Sequence, residues 1–322
     1  MNTGKWDFIW DYDDNYEWIE RCHKLPPLIV TCAVDGGIQG KEVNPAIPET
    51  PEEIAASAYD AYNAGASIVH IHARDRNKQW MNTNDWKDFY ATNLAVRNKC
   101  KDIIINNSTG GGYDTTMEAR LEVLDAKPEM ASLNMGPSME KFILRERGPE
   151  FVHPHPEMEI DGIIPFTHGI IEQLAEKMLK NNVKPEVEVS HPGHYMVMNH
   201  LIDMGLLKEP YYTQFVMGVQ TSSYATPINV IEMLKELPKN STFCVCGLGK
   251  YEWALTTLSI IMGGHVRVGL EDNIYLKRGV KLSSNAEAVE KIVRIARELG
   301  REIATPAQAR EMLGISATPT SY

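Results

Sequence analysis

The sequence predicts an α/β fold of the (β/α)8 TIM-barrel type, on three observations. Short apolar runs rich in branched residues alternate with helix-period segments along most of the chain. The strand–loop–helix cycle repeats eight times. The length of 322 residues suits one large barrel domain, placed at residues 28–322 after an N-terminal arm at 1–27.

The units follow in order. LIVTCAV (Leu28–Val34) reads as a strand buried on both faces, as in a parallel sheet. Its helix opens with Thr50 as N-cap, Pro51 at the first helical position and Glu53 three residues after the cap, and Gly65 ends it. SIVHIH (Ser67–His72) is the second strand, followed by a helix at Asp85–Lys99. Ile103–Asn106 and Thr116–Ala126 form the third unit. Met130–Asn134 is the fourth strand, and its helix comes late, near Ile170–Asn181. Pro185–Ser190 with Tyr195–Met204, Tyr212–Val219 with Pro227–Leu237, and Thr242–Leu248 with Glu252–Met262 are units five to seven. His265–Leu270 and Asn285–Leu299 close the cycle. Residues 135–169 fall outside the pattern as a long Pro-rich insertion containing HPHP at His153–Pro156, the kind of segment that serves as a lid or an oligomer contact.

Composition narrows the function. The net charge is −11 and no basic run stands out, which argues against a nucleic-acid partner. No apolar run reaches the roughly 18 residues of a membrane span. The first residues, MNTGKWDFIWDYDDNYEW, are acidic and aromatic, unlike a signal or transit peptide, so a cytoplasmic location is expected. The five cysteines are scattered and odd in number, so a disulfide framework is not expected. Cys244 and Cys246 share one strand face, a spacing open to thiolate ligands but more in keeping with core packing.

A barrel carries its chemistry at the C-terminal ends of its strands. Polar residues and glycines collect there: Asp35-Gly36-Gly37, His70 to Asp75, Asn106 to Gly112, Ser132 to Gly136, Glu188 to His191 and Arg267 to Asn273. His70 and His72 are two apart on a strand and point the same way. Strands two and eight both flank strand one in a closed barrel, so Glu271 can reach the same spot. Two His and one Glu leave an open position, as a catalytic zinc needs; the pattern also suits two hydrogen-bonded core histidines and a solvated carboxylate. Arg267 lies inside an apolar strand and needs a carboxylate partner. Glu188 can supply it, holding Asp272 as a base, or the set is a structural ion pair. Ser108, Thr109 and Gly110 offer hydroxyls and backbone N–H groups to a carboxylate or phosphate.

Taken together, TPEEIA, HIHARD, NSTGG, KPEMASLNMG, PEVEV, GGHVRVGLEDN and ATPAQAREML resemble the β-keto acid cleavage enzymes, in order from about Leu28 to Leu313. The resemblance implies a TIM barrel and a zinc ion bound by His70, His72 and Glu271. It implies substrate binding by Ser108, Ser132 and neighbours such as Asn134. Ser132 replaces a threonine of the family's best-known member. It implies that Glu188, Arg267 and Asp272 act together in deprotonating a β-keto acid, with acetyl-CoA as co-substrate, and a homo-oligomer, a tetramer in that member. The expected products are acetoacetate and a new acyl-CoA. One position departs. Where that member has a glutamate that holds its substrate's amino group, this chain has Ile38, which favours a more apolar tail or recognition by Asp35 or Gln39. A metal-dependent aldolase or hydrolase that ignores coenzyme A, and a non-catalytic zinc-binding scaffold, are the alternatives.

Overall fold

The computed structural model describes residues 14–83, 85–112 and 115–322. The elements, in chain order, are α1 (Asn15–Cys22), β1 (Val30–Ala33), α2 (Pro51–Ala64), β2 (Ile68–Ile71), β3 (Arg74–Asp75), β4 (Lys78–Asn82), α3 (Trp86–Lys99), β5 (Ile104–Asn107), α4 (Met117–Glu122), β6 (Met130–Asn134), β7 (Ser138–Leu144), β8 (Met158–Ile164) and α5 (His168–Asn181). The second half holds β9 (Lys184–Val189), α6 (His194–Asp203), β10 (Tyr211–Met217), α7 (Pro227–Lys235), β11 (Ser241–Gly247), α8 (Glu252–Ile261), β12 (His265–Val268), β13 (Tyr275–Lys277), β14 (Val280–Lys281), α9 (Asn285–Glu298) and α10 (Pro306–Leu313).

Eight strands close a parallel barrel in the order β1, β2, β5, β6, β9, β10, β11, β12. These are the eight runs expected from the sequence, and the TIM-barrel reading holds. Their burial explains their legibility: β1, β2, β5 and β12 are buried at every position, because helices cover one face and the packed barrel interior the other. The helix signals hold as well. Thr50 Oγ1 accepts the Glu53 N–H, Pro51 opens α2, and Gly65 ends it at φ +120°.

Ile29, Ile68, Ile104, Met130, Tyr212 and Cys244 fill the end of the barrel where the strands begin. Ala309 and Leu313 of α10 close that end. α10 starts with a capping box in which Thr305 and Gln308 satisfy each other's backbone N–H groups.

Four elements correct the sequence reading. Residues 1–13 of the expected arm lie outside the described residues, and the rest is not plain arm: Asn15–Cys22 is helical, with Trp18, Cys22 and Leu25 against the core. The insertion at 135–169 is largely an antiparallel hairpin of β7 and β8, paired from Ser138↔Ile164 to Leu144↔Met158. β3 with β4, and β13 with β14, are further small hairpins at strand ends. No described helix is long and apolar enough to cross a membrane.

Candidate active site

Strand alternation and barrel closure build the site. On β2, His70 sits beside Ala33 of β1 and Asn106 of β5. His72 follows one pleat later on the same side. Glu271 arrives from the turn after β12. Gly269 has φ +144°, and a Cβ there would stand 2.2 Å from the Ala33 carbonyl oxygen. Only glycine lets the turn lie this close over β1 and set Glu271 above the histidines.

The three side chains converge. His72 Nε2 lies 3.2 Å and His70 Nε2 3.7 Å from Glu271 Oε1. One ligand atom from each residue fits within 4.8 Å of the others. His72 Nδ1 donates to Asn82 Oδ1 at 2.8 Å, which leaves its Nε2 lone pair facing inward. His70 Nδ1 lies 3.8 Å from the Glu186 carboxylate, which accepts from Asn106 Nδ2 at 2.8 Å. Glu271 Oε2 is buried with no hydrogen-bond partner among the described residues.

Arg267 organises the acidic side. Its guanidinium grips Asp272 through two hydrogen bonds of 2.9 Å and donates to Glu271 Oε1 at 2.6 Å. Its Nη1 lies 3.8 Å from Glu188, which accepts from Gln214 Nε2 at 3.1 Å. Burial drives the Glu271 pKa upward, but His72, Arg267 and His70 together pull it well below the ordinary carboxylate value. Burial raises the Asp272 and Glu188 pKa values despite Arg267. Burial and Arg267 lower the His70 pKa well below an ordinary imidazole, which keeps its ring neutral.

A divalent cation fits this donor set. Two imidazole nitrogens face a carboxylate with one unused oxygen. Three carboxyl groups, Glu188, Glu271 and Asp272, surround a single guanidinium, a setting that a further cation would favour. Asn82 and Glu186 stand where partners of metal-bound histidines stand.

A cavity of about 370 Å3 opens above this floor. Ile38, Ser108, Gly110, Asn134, Glu188, Arg267, Glu271 and Asp272 all border it, as do His70 and His72. Asp35, Thr109 and Ser132 are not among the residues that border it; each is buried and held by neighbouring groups. Asp35 is fully buried, accepting the His72 N–H at 3.1 Å and Arg74 Nε at 3.3 Å. Thr109 and Ser132 are tied to each other, Thr109 N to Ser132 Oγ at 2.9 Å and Thr109 Oγ1 to Ser132 O at 2.7 Å. Their hydroxyls shape the wall from behind.

Six contributors were given no role in the sequence reading. Glu186 lies one pleat before Glu188 on β9, and that spacing was a usable signal. Asn82 comes from the β3–β4 hairpin, which no motif announced. Asn106 was placed at the end of the third strand, among the polar residues there, but given no role. Phe142, Ile164 and Phe166, from the hairpin segment, line the cavity mouth. Cys246 also borders the cavity; burial and Asp272 raise its thiol pKa well above the ordinary value, so it is a wall and not a nucleophile.

A closed parallel barrel with a buried His, His, Glu and Arg cluster at its strand C-termini defines a barrel enzyme. The beta-keto acid cleavage enzyme family matches residues 27–315, and the chain belongs to that family. Among its relatives is the 3-keto-5-aminohexanoate cleavage enzyme of Fusobacterium nucleatum, 39% identical over 90% of this chain and 99% of that protein. The protein of that name from Acetoanaerobium sticklandii is 39% identical over 91% of this chain and all of that one. A 3,5-dioxohexanoate:acetyl-CoA acetone transferase of Paraburkholderia graminis is 32% identical over 89% of this chain and 95% of its own. In fold, the chain resembles ObcA, solved as a binary complex with oxaloacetate, at a TM-score of 0.66 and 20% identity over 84% of this chain and 68% of that one.

Proposed function

We propose that the protein joins a β-keto acid to acetyl-CoA and cleaves the adduct to acetoacetate and a new acyl-CoA. The observation that carries this reading is the pairing, on one cavity floor, of the His70–His72–Glu271 cluster with an Arg267-held Asp272, in a chain of this family. His70, His72 and Glu271 would hold a zinc ion, which when bound supplies Lewis-acid polarisation of the keto acid's oxygens. Asp272 takes the C2 proton: it is buried and fixed by two bonds to Arg267, and its raised pKa strengthens it as a base. Arg267 keeps the charge on that carboxylate compensated, and Glu188 secures the guanidinium from the other side. Ser108 borders the cavity, and its Oγ, which accepts the Gly110 N–H at 3.2 Å, keeps its own hydrogen to donate to a substrate carboxylate. No protein nucleophile is required, since the thiolate of coenzyme A can attack the keto carbon.

The tail of the keto acid meets Ile38, Phe142, Ile164 and Phe166. Ile38 and this apolar wall favour a neutral tail over the ammonium of 3-keto-5-aminohexanoate, the compound named for two relatives, while Glu140 is the carboxylate of the same lining that an ammonium would have to reach. We place the protein in the cytoplasm as a homo-oligomer, a tetramer on the family resemblance.

The test is a screen of β-keto acids with acetyl-CoA, reading free thiol and acetoacetate. Both should appear only when keto acid and thioester are present together. Thiol release without keto acid would make the protein a thioester hydrolase. Cleavage without acetyl-CoA would make it an aldolase, and no turnover with any acid would favour a scaffold.

A further inference from the structure

A second cluster of metal-ligating side chains lies outside the barrel. His168 is the first residue of α5, Glu172 follows one turn later, and His200 comes from the second half of α6. The i, i+4 spacing puts His168 and Glu172 on one helix face. His200 Nε2 already lies 3.1 Å from Glu172 Oε1. The His168 and His200 rings stand 6.0 Å apart. One ligand atom from each of the three fits within 4.8 Å of the others.

We propose that His168, Glu172 and His200 form a peripheral site for a divalent transition-metal ion of the zinc class. Two imidazole nitrogens and one carboxylate oxygen suit zinc, nickel or copper and disfavour calcium and magnesium, which take oxygen ligands. The absence of a thiolate from the set argues against iron–sulfur chemistry. Water completes the coordination, because His168 and His200 are exposed. The site needs little ordering, since Glu172 and His200 are already in contact. Exposure makes it weaker than the buried cluster in the barrel, whose ligands are fixed by Asn82 and Arg267.

An ion there would tie α5 to α6. α5 begins four residues after Ile164, the last residue of β8 and part of the cavity wall. The peripheral ion would therefore fasten the root of the β7–β8 hairpin to the barrel's outer layer. It is a positional clamp, with no ligand in contact with the cavity.

The experiment uses the full chain, stripped with a chelator and dialysed against rising Zn2+, with metal content read by elemental analysis. Wild type should take up two zinc ions per chain, and His168→Ala/His200→Ala one. The melting temperature of wild type should rise with Zn2+ at the concentrations that fill the weaker site, and that rise should vanish in the double variant. Cleavage of the best keto acid by the double variant should stay within about twofold, as these residues lie outside the catalytic cavity. The same uptake in wild type and double variant overturns the peripheral site, as does a single wild-type ion that His72→Ala removes. His72→Ala separately reports on the barrel: it should keep one ion, the peripheral one. Full two-ion occupancy in that variant would instead overturn the barrel zinc.

Discussion

His72 shows how much of the site is decided by single atoms. Its backbone N–H is spent on Asp35, its Nδ1 on Asn82, and only Nε2 is left to face Glu271. Three neighbours thus fix the place and orientation of a ring that no motif specifies. Asp272 is fixed as firmly by Arg267, and there the expected role is chemical. Asp272→Asn keeps the size of the side chain but cannot take a proton. It should retain metal and fold while C2 proton exchange of the keto acid in deuterated water drops by about 10²–10⁴-fold. Exchange at the wild-type rate would remove Asp272 from the mechanism. Ile38 tests the tail. A buried ammonium facing isoleucine loses hydration without a partner, at a cost of several kcal/mol. Ile38→Glu should therefore shift the kcat/KM ratio toward 3-keto-5-aminohexanoate, over a neutral-tailed keto acid, by at least about tenfold, or ~1.4 kcal/mol. A wild type that already prefers the amino substrate would defeat this argument. Such a preference would point to Glu140, the carboxylate that borders the cavity, rather than to Asp35, which is buried against Arg74.

The hairpin is the element that the sequence hid best. β7 and β8 do alternate, with Ser138, Glu140 and Phe142 more covered than Met139, Lys141 and Ile143. That period-2 pattern was available, but the two strands are joined by residues 145–157, far longer than the two to five residues that mark a hairpin in sequence. The barrel strands were legible for the opposite reason: each is an apolar run with helix caps nearby. The side chains of the candidate site were legible because strand ends and barrel closure bring them to one cavity. Asn82 was not, because no motif announces the hairpin that carries it to His72, and Arg147 was not, because Glu42 and Glu49 lie 105 and 98 residues away. Arg147 anchors the long connection. It donates to Glu42 at 2.6 Å and to both oxygens of Glu49 at 2.7 and 2.9 Å, with all three side chains buried. Arg147→Met would leave two buried carboxylates uncompensated, which costs about 3–5 kcal/mol. Denaturant unfolding should show that loss. Loosening of the hairpin should also raise KM for the keto acid more than it lowers kcat, because Phe142 and Ile164 form the cavity wall. Unchanged stability would mean that the hairpin is held mainly by other contacts, such as the packing of Trp80 on His155.

At the scale of the whole molecule, the barrel separates chemistry at one end from stability at the other. His265 belongs to the second end. It opens β12, and its ring packs near Tyr212, among the side chains that α10 covers. Its Nδ1 accepts the Ile29 N–H at 3.0 Å, a bond only the neutral ring can make. Burial, with Arg301 adding to it, lowers the His265 pKa well below an ordinary imidazole. The folded state therefore binds fewer protons than the unfolded chain once pH falls below the unfolded value of about 6.5. Stability is lost in that direction, by up to about 1.4 kcal/mol per pH unit from this group. Buried carboxyls with raised pKa values, such as Glu252, push the opposite way, so the total slope does not isolate the effect. His265→Asn does isolate it, because Oδ1 replaces Nδ1 as acceptor and the side chain no longer titrates. The stability gap between wild type and His265→Asn should change by roughly 1.5 kcal/mol in favour of the variant between pH 6.5 and pH 5. Parallel stability curves over that range would show that His265 is not a buried neutral ring. At pH 7.5, kcat/KM should be the same in both proteins, since no catalytic side chain touches this end of the barrel.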